Sequence, residues 1–161
     1  MIRYFFLLAA ALLWSTAAVA EQADSVLVDK SDEKLYLLKE RTVIAEYSVS
    51  FGASPEGHKQ QEGDERTPEG NYVLDYKNAD SVFYKAIHIS YPNEADKKSA
   101  AARGVDPGGA IMIHGQRNRL GWLSFITQRF NWTDGCVAVT NSEMDEIWDL
   151  VPANTPIEIR E

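Results

Sequence analysis

Two stretches decide how this chain folds: Ile111-Met112-Ile113-His114-Gly115 and, further on, Thr133-Asp134-Gly135-Cys136-Val137-Ala138-Val139-Thr140-Asn141. Each is a short apolar run next to a glycine, the pattern of a buried strand. The first run ends on an imidazole and the second begins on a thiol. A side chain at a strand end can leave the core and face a cleft, so two such strands side by side can bring His114 within reach of Cys136. Thiol activation needs that proximity, because the thiolate attacks and an unperturbed cysteine is mostly protonated at neutral pH. Gly135 leaves the N–H groups of Gly135 and Cys136 uncrowded, able to meet a developing oxyanion.

Working outward, the chain reads mainly as strands. Val26-Leu27-Val28 and Leu35-Tyr36-Leu37-Leu38 flank the polar turn Lys30-Ser31-Asp32-Glu33-Lys34 as a hairpin. Val43, Ala45, Tyr47, Val49 and Phe51 alternate along 42–51, the two-residue period of a half-buried strand. Further strands are expected over 71–76, 83–91, 110–114, 136–140 and 157–160. Helices are fewer. The run 93–103 is rich in Ala, Lys and Glu and stops at Gly104; a weaker one lies within 123–130. The clearest has Asn141 or Ser142 as its cap, core residues Met144, Ile147, Trp148 and Val151 at helical spacing, and Pro152 as its stop. The expected class is mainly β (α+β), with two or three short peripheral helices.

The opening twenty residues do not belong to that domain. Arg3, the apolar run from Tyr4 to Trp14 and Ala18-Val19-Ala20 form a secretory leader, with cleavage expected after Ala20. A membrane anchor fits less well, because Ser15 and Thr16 interrupt a run that would need about 20 apolar residues to span. The expected protein is exported, not membrane-anchored after cleavage, and residues 21–161 form one domain. With 24 acidic against 16 basic residues and a net charge of −8, nucleic acid is excluded as a partner, and the overall balance gives no pull toward anionic lipid. One cysteine cannot form an internal disulfide, although exported proteins usually pair theirs. Composition leaves Cys136 as either a small buried hydrophobe or a functional thiol, and its surroundings favour the second.

At these residues the sequence resembles the YkuD-type L,D-transpeptidases, which act on the peptide stems of bacterial peptidoglycan. The resemblance rests on His114-Gly115, then Thr133-Asp134-Gly135-Cys136 with Asn141 five residues beyond the cysteine. Gly52 and Arg66-Thr67-Pro68-x-Gly70-x-Tyr72 extend it over nearly all of 21–161. It implies a YkuD-like β-sandwich, a periplasmic location, and a Cys136 nucleophile with His114 as base. The Gly115 carbonyl would orient the base in place of a triad acid, and the N–H groups of Asp134, Gly135 and Cys136 would hold the oxyanion. Thr-Asp-Gly-Cys, with His88-Ile89-Ser90-Tyr91-Pro92-Asn93, is similar to the YafK-like branch. That branch is associated with peptidoglycan hydrolysis and with amidase-like release of wall-anchored lipoprotein, as well as with cross-linking.

Two positions depart from the usual Ser-His-Gly-Cys-x-Arg: Asp134 replaces the second histidine and Ala138 the arginine. A charge at Asp134 close to the thiol would raise its pKa; turned away, it would hold a loop or meet a substrate ammonium. The missing arginine removes a fixed cation for a thiolate or a substrate carboxylate. The expected chemistry is therefore cysteine-dependent acyl transfer, with hydrolysis and a non-catalytic wall-binding module as alternatives. His88, with Ser90 and Tyr91, is expected either to line the cleft or to be a strand histidine with a local hydrogen bond. His58 is expected to be solvated, and 93–109 to be either a movable lid or an ordinary packed helix and loop. Trp122, Phe125, Phe130 and Trp132 fit either a cleft wall or the core. No cofactor is called for, and no His or Cys pair has metal-ligand spacing such as His-x-His. His before Cys also runs against papain-like peptidases, where the cysteine comes first.

Overall fold

The computed structural model describes residues 21–161; the expected leader, 1–20, lies outside the described residues. Eight strands form one sheet: β1 (Ser25–Asp29), β2 (Lys34–Lys39), β3 (Thr42–Ser48), β4 (Gly70–Asn78), β5 (Ala86–Ile89), β6 (Met112–His114), β7 (Val137–Ala138) and β8 (Thr155–Arg160). Their order is β3-β2-β1-β8-β4-β5-β6-β7. The last strand lies in the middle, parallel to β1 and antiparallel to β4. Beyond β3 the chain crosses to the opposite edge. There Ser50 and Ala138 exchange backbone hydrogen bonds of 2.9 and 2.8 Å. The sheet thus curls until its two ends nearly meet, which covers the open edge of β7.

Inside the curl, Leu35, Leu37, Phe51, Leu74, Ile87, Ile89, Ile113, Val137, Val139 and Ile159 are buried together. β8 shows the rule plainly: Thr155, Ile157 and Ile159 are buried while Pro156, Glu158 and Arg160 are exposed, as the period of two requires. The expected alternation holds from Glu46 to Val49, but Val43 is half exposed and Ser50 is buried. Leu37 pairs with Ala45 but Leu38 pairs with Val43, so β3 carries one extra residue at that point. Such a bulge moves every side chain beyond it to the other face.

Three short helices complete the domain: α1 (Glu94–Arg103), α2 (Ser124–Thr127), which follows a 3-10 turn over Gly121–Leu123, and α3 (Asn141–Leu150). α1 begins with a capping box between Asn93 and Asp96 and ends at Gly104 in the left-handed region. α3 is capped by Thr140, in a capping box with Glu143, and not by Asn141 or Ser142. The Asn141 side chain is already engaged, its Oδ1 accepting the Gln116 N–H at 2.8 Å. Met144, Ile147 and Val151 are fully buried, and Trp148 packs partly against the core. Lys77 and Lys85 lie over the Trp148 ring, 5.1 and 5.4 Å from its centroid.

Candidate active site

β6 and β7 run parallel, with Ile113 opposite Val137 and His114 opposite Ala138. Continuing that register sets Cys136 beside Met112. Cys136 and His114 therefore face the same side of the sheet, one strand across and two residues along, with Cα atoms roughly 8 Å apart by ordinary strand spacing. No hydrogen bond joins the two side chains; the Cys136 thiol donates to the Ala110 carbonyl at 3.8 Å.

The imidazole is held from behind. Its Nδ1 lies 2.6 Å from the Gly115 carbonyl oxygen. A carbonyl only accepts, so Nδ1 carries the proton and Nε2 presents its lone pair. The ring is buried between Phe83, at 4.5 Å, and Trp132, at 5.9 Å between centroids. Burial pushes the His114 pKa below its ordinary 6.5, only partly opposed by the bond to Gly115. His114 thus presents a neutral, oriented imidazole at neutral pH. Gly115 fits no larger residue: a Cβ there would lie 2.7 Å from the Tyr84 carbonyl oxygen and 2.8 Å from Asn141 Oδ1.

The thiol sits on a tight turn. Thr133 Oγ1 donates to the Cys136 carbonyl at 2.7 Å and accepts the Gly135 N–H at 3.2 Å. Gly135 has φ +121°, and a Cβ on it would come within 2.5 Å of the Arg66 carbonyl oxygen. Only glycine fits that combination. Burial pushes the thiol above its ordinary 9.0; the Met112 N–H lowers it, Asp134 adds to the rise and Lys59 opposes it. Both shifts favour a neutral thiol beside a neutral imidazole at neutral pH.

The three N–H groups expected at the oxyanion are not equivalent. That of Gly135 is engaged with Thr133, so it is not free for an oxyanion. Among the described residues, those of Asp134 and Cys136 meet no acceptor. Asp134 is exposed and borders a depression of about 260 Å³ shared with Lys59, Glu62, Gly63, Gly108 and Gly109. Its side chain turns to the opening, yet its charge is still felt at the thiol.

The other singled-out residues are placed differently. His88 shares a sheet face with His114, since Ala86 pairs with His114 and His88 with Met112. Its Nδ1 is 2.7 Å from Asp75 Oδ1 and its ring stacks on Tyr76 at 4.6 Å. Ser90 Oγ accepts the Val73 N–H at 2.9 Å, and the buried Tyr91 donates to the Pro107 carbonyl at 2.9 Å. Neither hydroxyl faces the thiol. Tyr91 and the Glu62 N–H, which donates to Asp106 at 2.8 Å, tie down the end of the 93–109 segment and make it a packed helix and loop. His58 is not simply solvated: its Nδ1 accepts the Glu69 N–H at 2.9 Å, leaving Nε2 to donate to Asp96 Oδ1 at 3.2 Å. Trp122, Phe125 and Phe130 are exposed surface residues, while Trp132 stands beside His114. Among the described residues no group of three or more His, Cys, Asp or Glu stands close enough to hold a metal ion.

Sequence reasoning missed Lys59 and gave Thr133 no role. Thr133 had a signal in the Thr-x-Gly-Cys spacing, which suits a side chain bonding to a turn two or three residues on. Lys59 had none: its ammonium is buried against Asp64, 2.9 Å away, by a loop whose path only the fold shows.

The domain is a curled, mainly β sheet with a cysteine and a histidine on one face of two adjacent parallel strands. Residues 23–159 match the YkuD family, the L,D-transpeptidase catalytic domain, and the chain belongs to that family. It is 34% identical over 118 residues to YafK of Escherichia coli K12, a protein named provisionally as an L,D-transpeptidase; that match spans 72% of this chain and 38% of YafK. The helical cell shape determining protein Pgp2 of Campylobacter jejuni superposes with a TM-score of 0.63 at 26% identity, covering 88% of this chain and 49% of Pgp2. Bd1075 of Bdellovibrio bacteriovorus gives a TM-score of 0.59 at 26% identity, with 88% of this chain and 49% of that one covered. The chain thus spans half or less of the length of these relatives.

Proposed function

We propose that this protein is an exported, periplasmic cysteine acyltransferase acting on the peptide stems of peptidoglycan. Membership of the L,D-transpeptidase family supports the reaction class. The observation that carries the roles is the 2.6 Å bond from His114 Nδ1–H to the Gly115 carbonyl, which leaves Nε2 as a neutral base on the thiol's side of the sheet. Cys136 attacks a stem amide carbonyl while its S–H proton passes to Nε2. The N–H groups of Cys136 and Asp134 receive the oxyanion. As the intermediate collapses, the C–N bond breaks, the leaving amine takes the proton from Nε2, and a Cys136 thioester remains. An acceptor then attacks the thioester, returning a proton through His114 to the sulfur.

We favour an amine acceptor, giving transpeptidation. The exposed Asp134 and Glu62 on the depression beside the thiol attract and orient an ammonium before it is deprotonated. With water as acceptor the same thioester gives hydrolysis, including release of wall-anchored lipoprotein. The pure protein is incubated with muropeptides, with and without attached lipoprotein, and the products are weighed. A cross-linked product, with a carbapenem or thiol probe labelling Cys136 and labelling lost in His114→Ala, supports the reading. Product shortened by hydrolysis alone overturns the acceptor assignment. No labelling and no product overturns the enzyme in favour of a wall-binding module.

A further inference from the structure

The segment between the two proposed catalytic residues is turned inside out. In 121–130 the neutral polar side chains Thr127 and Gln128 point into the fold. Thr127 Oγ1 donates to Gln116 Oε1 at 2.6 Å, Ser50 Oγ donates to Gln128 Oε1 at 2.7 Å, and Gln128 Nε2 reaches the Ala138 carbonyl at 3.2 Å. The apolar side chains point out. Trp122, Phe125 and Phe130 are 69%, 62% and 64% exposed, with Ile126 and Leu120 beside them. Trp122, Phe125 and Ile126 lie on the 3-10 turn and α2, with Phe130 in the turn just beyond, so the exposed apolar side chains cluster along one short segment. A water-facing helix normally buries such side chains, and an exposed contiguous apolar patch marks an interaction surface.

Charge identifies the partner. This chain carries a net charge of −8, yet it has no Asp or Glu between Asp106 and Asp134, where Arg117, Arg119 and Arg129 stand. All three arginines are exposed, and among the described residues none takes part in an ion pair. The whole-chain balance conceals this local reversal of sign.

We propose that 117–130 is a membrane-surface docking site whose occupant is an anionic phospholipid bilayer. Tryptophan and phenylalanine settle at the headgroup boundary, and arginines flanking them meet phosphates. No helix among the described residues is long and apolar enough to cross a membrane, so the contact is one of lying on the surface. A second copy of this chain fits worse, because it would set three arginines against three. A neutral saccharide gives the arginines no counter-charge. Since His114 and Cys136 flank the segment, docking would also fix which way the cleft faces.

The full chain is sedimented with vesicles of phosphatidylglycerol and phosphatidylcholine, and with phosphatidylcholine alone. The expected result is co-sedimentation with the anionic vesicles only, weakened by salt and accompanied by a blue shift of tryptophan emission. Phe125→Ser with Phe130→Ser should weaken binding at least about tenfold. Each of Arg117→Gln, Arg119→Gln and Arg129→Gln should weaken it about fivefold. Unchanged melting temperatures confirm that the variants are folded, and any contribution of residues 1–20 is common to all of them. Equal binding to neutral vesicles, no binding, or no loss in the variants overturns the proposal. A concentration-dependent dimer abolished by Phe125→Ser overturns it in favour of self-association. Retention on peptidoglycan sacculi that the variants lose, without vesicle binding, overturns it in favour of a saccharide surface.

Discussion

Thr133→Val tests the turn that carries the nucleophile. The substitution keeps the shape of a buried side chain and removes one hydroxyl. Two bonds go with it: the 2.7 Å bond to the Cys136 carbonyl and the 3.2 Å bond from the Gly135 N–H. Leaving a buried polar partner unsatisfied costs about 1–3 kcal/mol. The longer bond contributes less and the Cys136 carbonyl is only partly buried, so together we expect a loss of about 3 kcal/mol. For a domain of this size that lowers the melting temperature by roughly 6–12 °C. Thr133→Ser keeps both bonds and loses one methyl, about 1 kcal/mol. Urea denaturation and thermal melting of the three proteins measure the difference. Carbapenem acylation of Cys136, followed by mass, is the second readout, and it should slow more in Val than in Ser as the Cys136 N–H loses its direction. A Val variant within 1 kcal/mol of the parent, or no less stable than Ser, would refute this account of the turn.

Gly135→Ala should be worse than either, since φ +121° and a Cβ 2.5 Å from the Arg66 carbonyl offer no relaxed position; a loss of several kcal/mol in urea denaturation is expected. Thr140→Ala removes the cap of α3 and should lower stability by about 1 kcal/mol, whereas Ser142→Ala should change it little if Thr140 is the cap. Alkylation of Cys136 by iodoacetamide should keep accelerating as pH rises past the thiol's ordinary 9.0, because burial holds its pKa above that value; a plateau in weak acid would mean a preformed thiolate–imidazolium pair. Asp134→Asn removes a charge that raises the thiol pKa, so alkylation at a given pH should quicken in that variant. Stability should fall on both sides of neutrality. Below the ordinary 6.5 of histidine the unfolded chain takes up a proton that buried His114 resists, and above 9.0 it releases one that buried Cys136 keeps. Urea titrations across pH, compared with a His114→Gln variant, isolate the acid limb.

Much of the molecule follows from local chemistry. The strand over 157–160, the Gly104 stop of α1 and the core face of α3 depend on neighbours a few residues away, so they can be read along the chain. His114 and Cys136 stood out for the same reason: each lies where an apolar run meets a glycine. What the sequence could not decide depends on packing between segments distant along the chain. The β3 bulge that turns Val43 outward, the engagement of Asn141 that passes the α3 cap to Thr140, and the buried Lys59–Asp64 pair all arise from such contacts. The inverted 121–130 segment belongs with them. Its composition fitted a cleft wall or a core equally well, and only the hydrogen bonds of Thr127 and Gln128 to Gln116, Ser50 and Ala138 show which face turned out. The sequence by itself determined a mainly β domain with a thiol and an imidazole at strand ends. The tertiary structure decided how they are placed, because the parallel register of β6 and β7, the Gly115 carbonyl behind the ring and the burial that favours the neutral form of both groups exist only once strands far apart in the chain lie side by side.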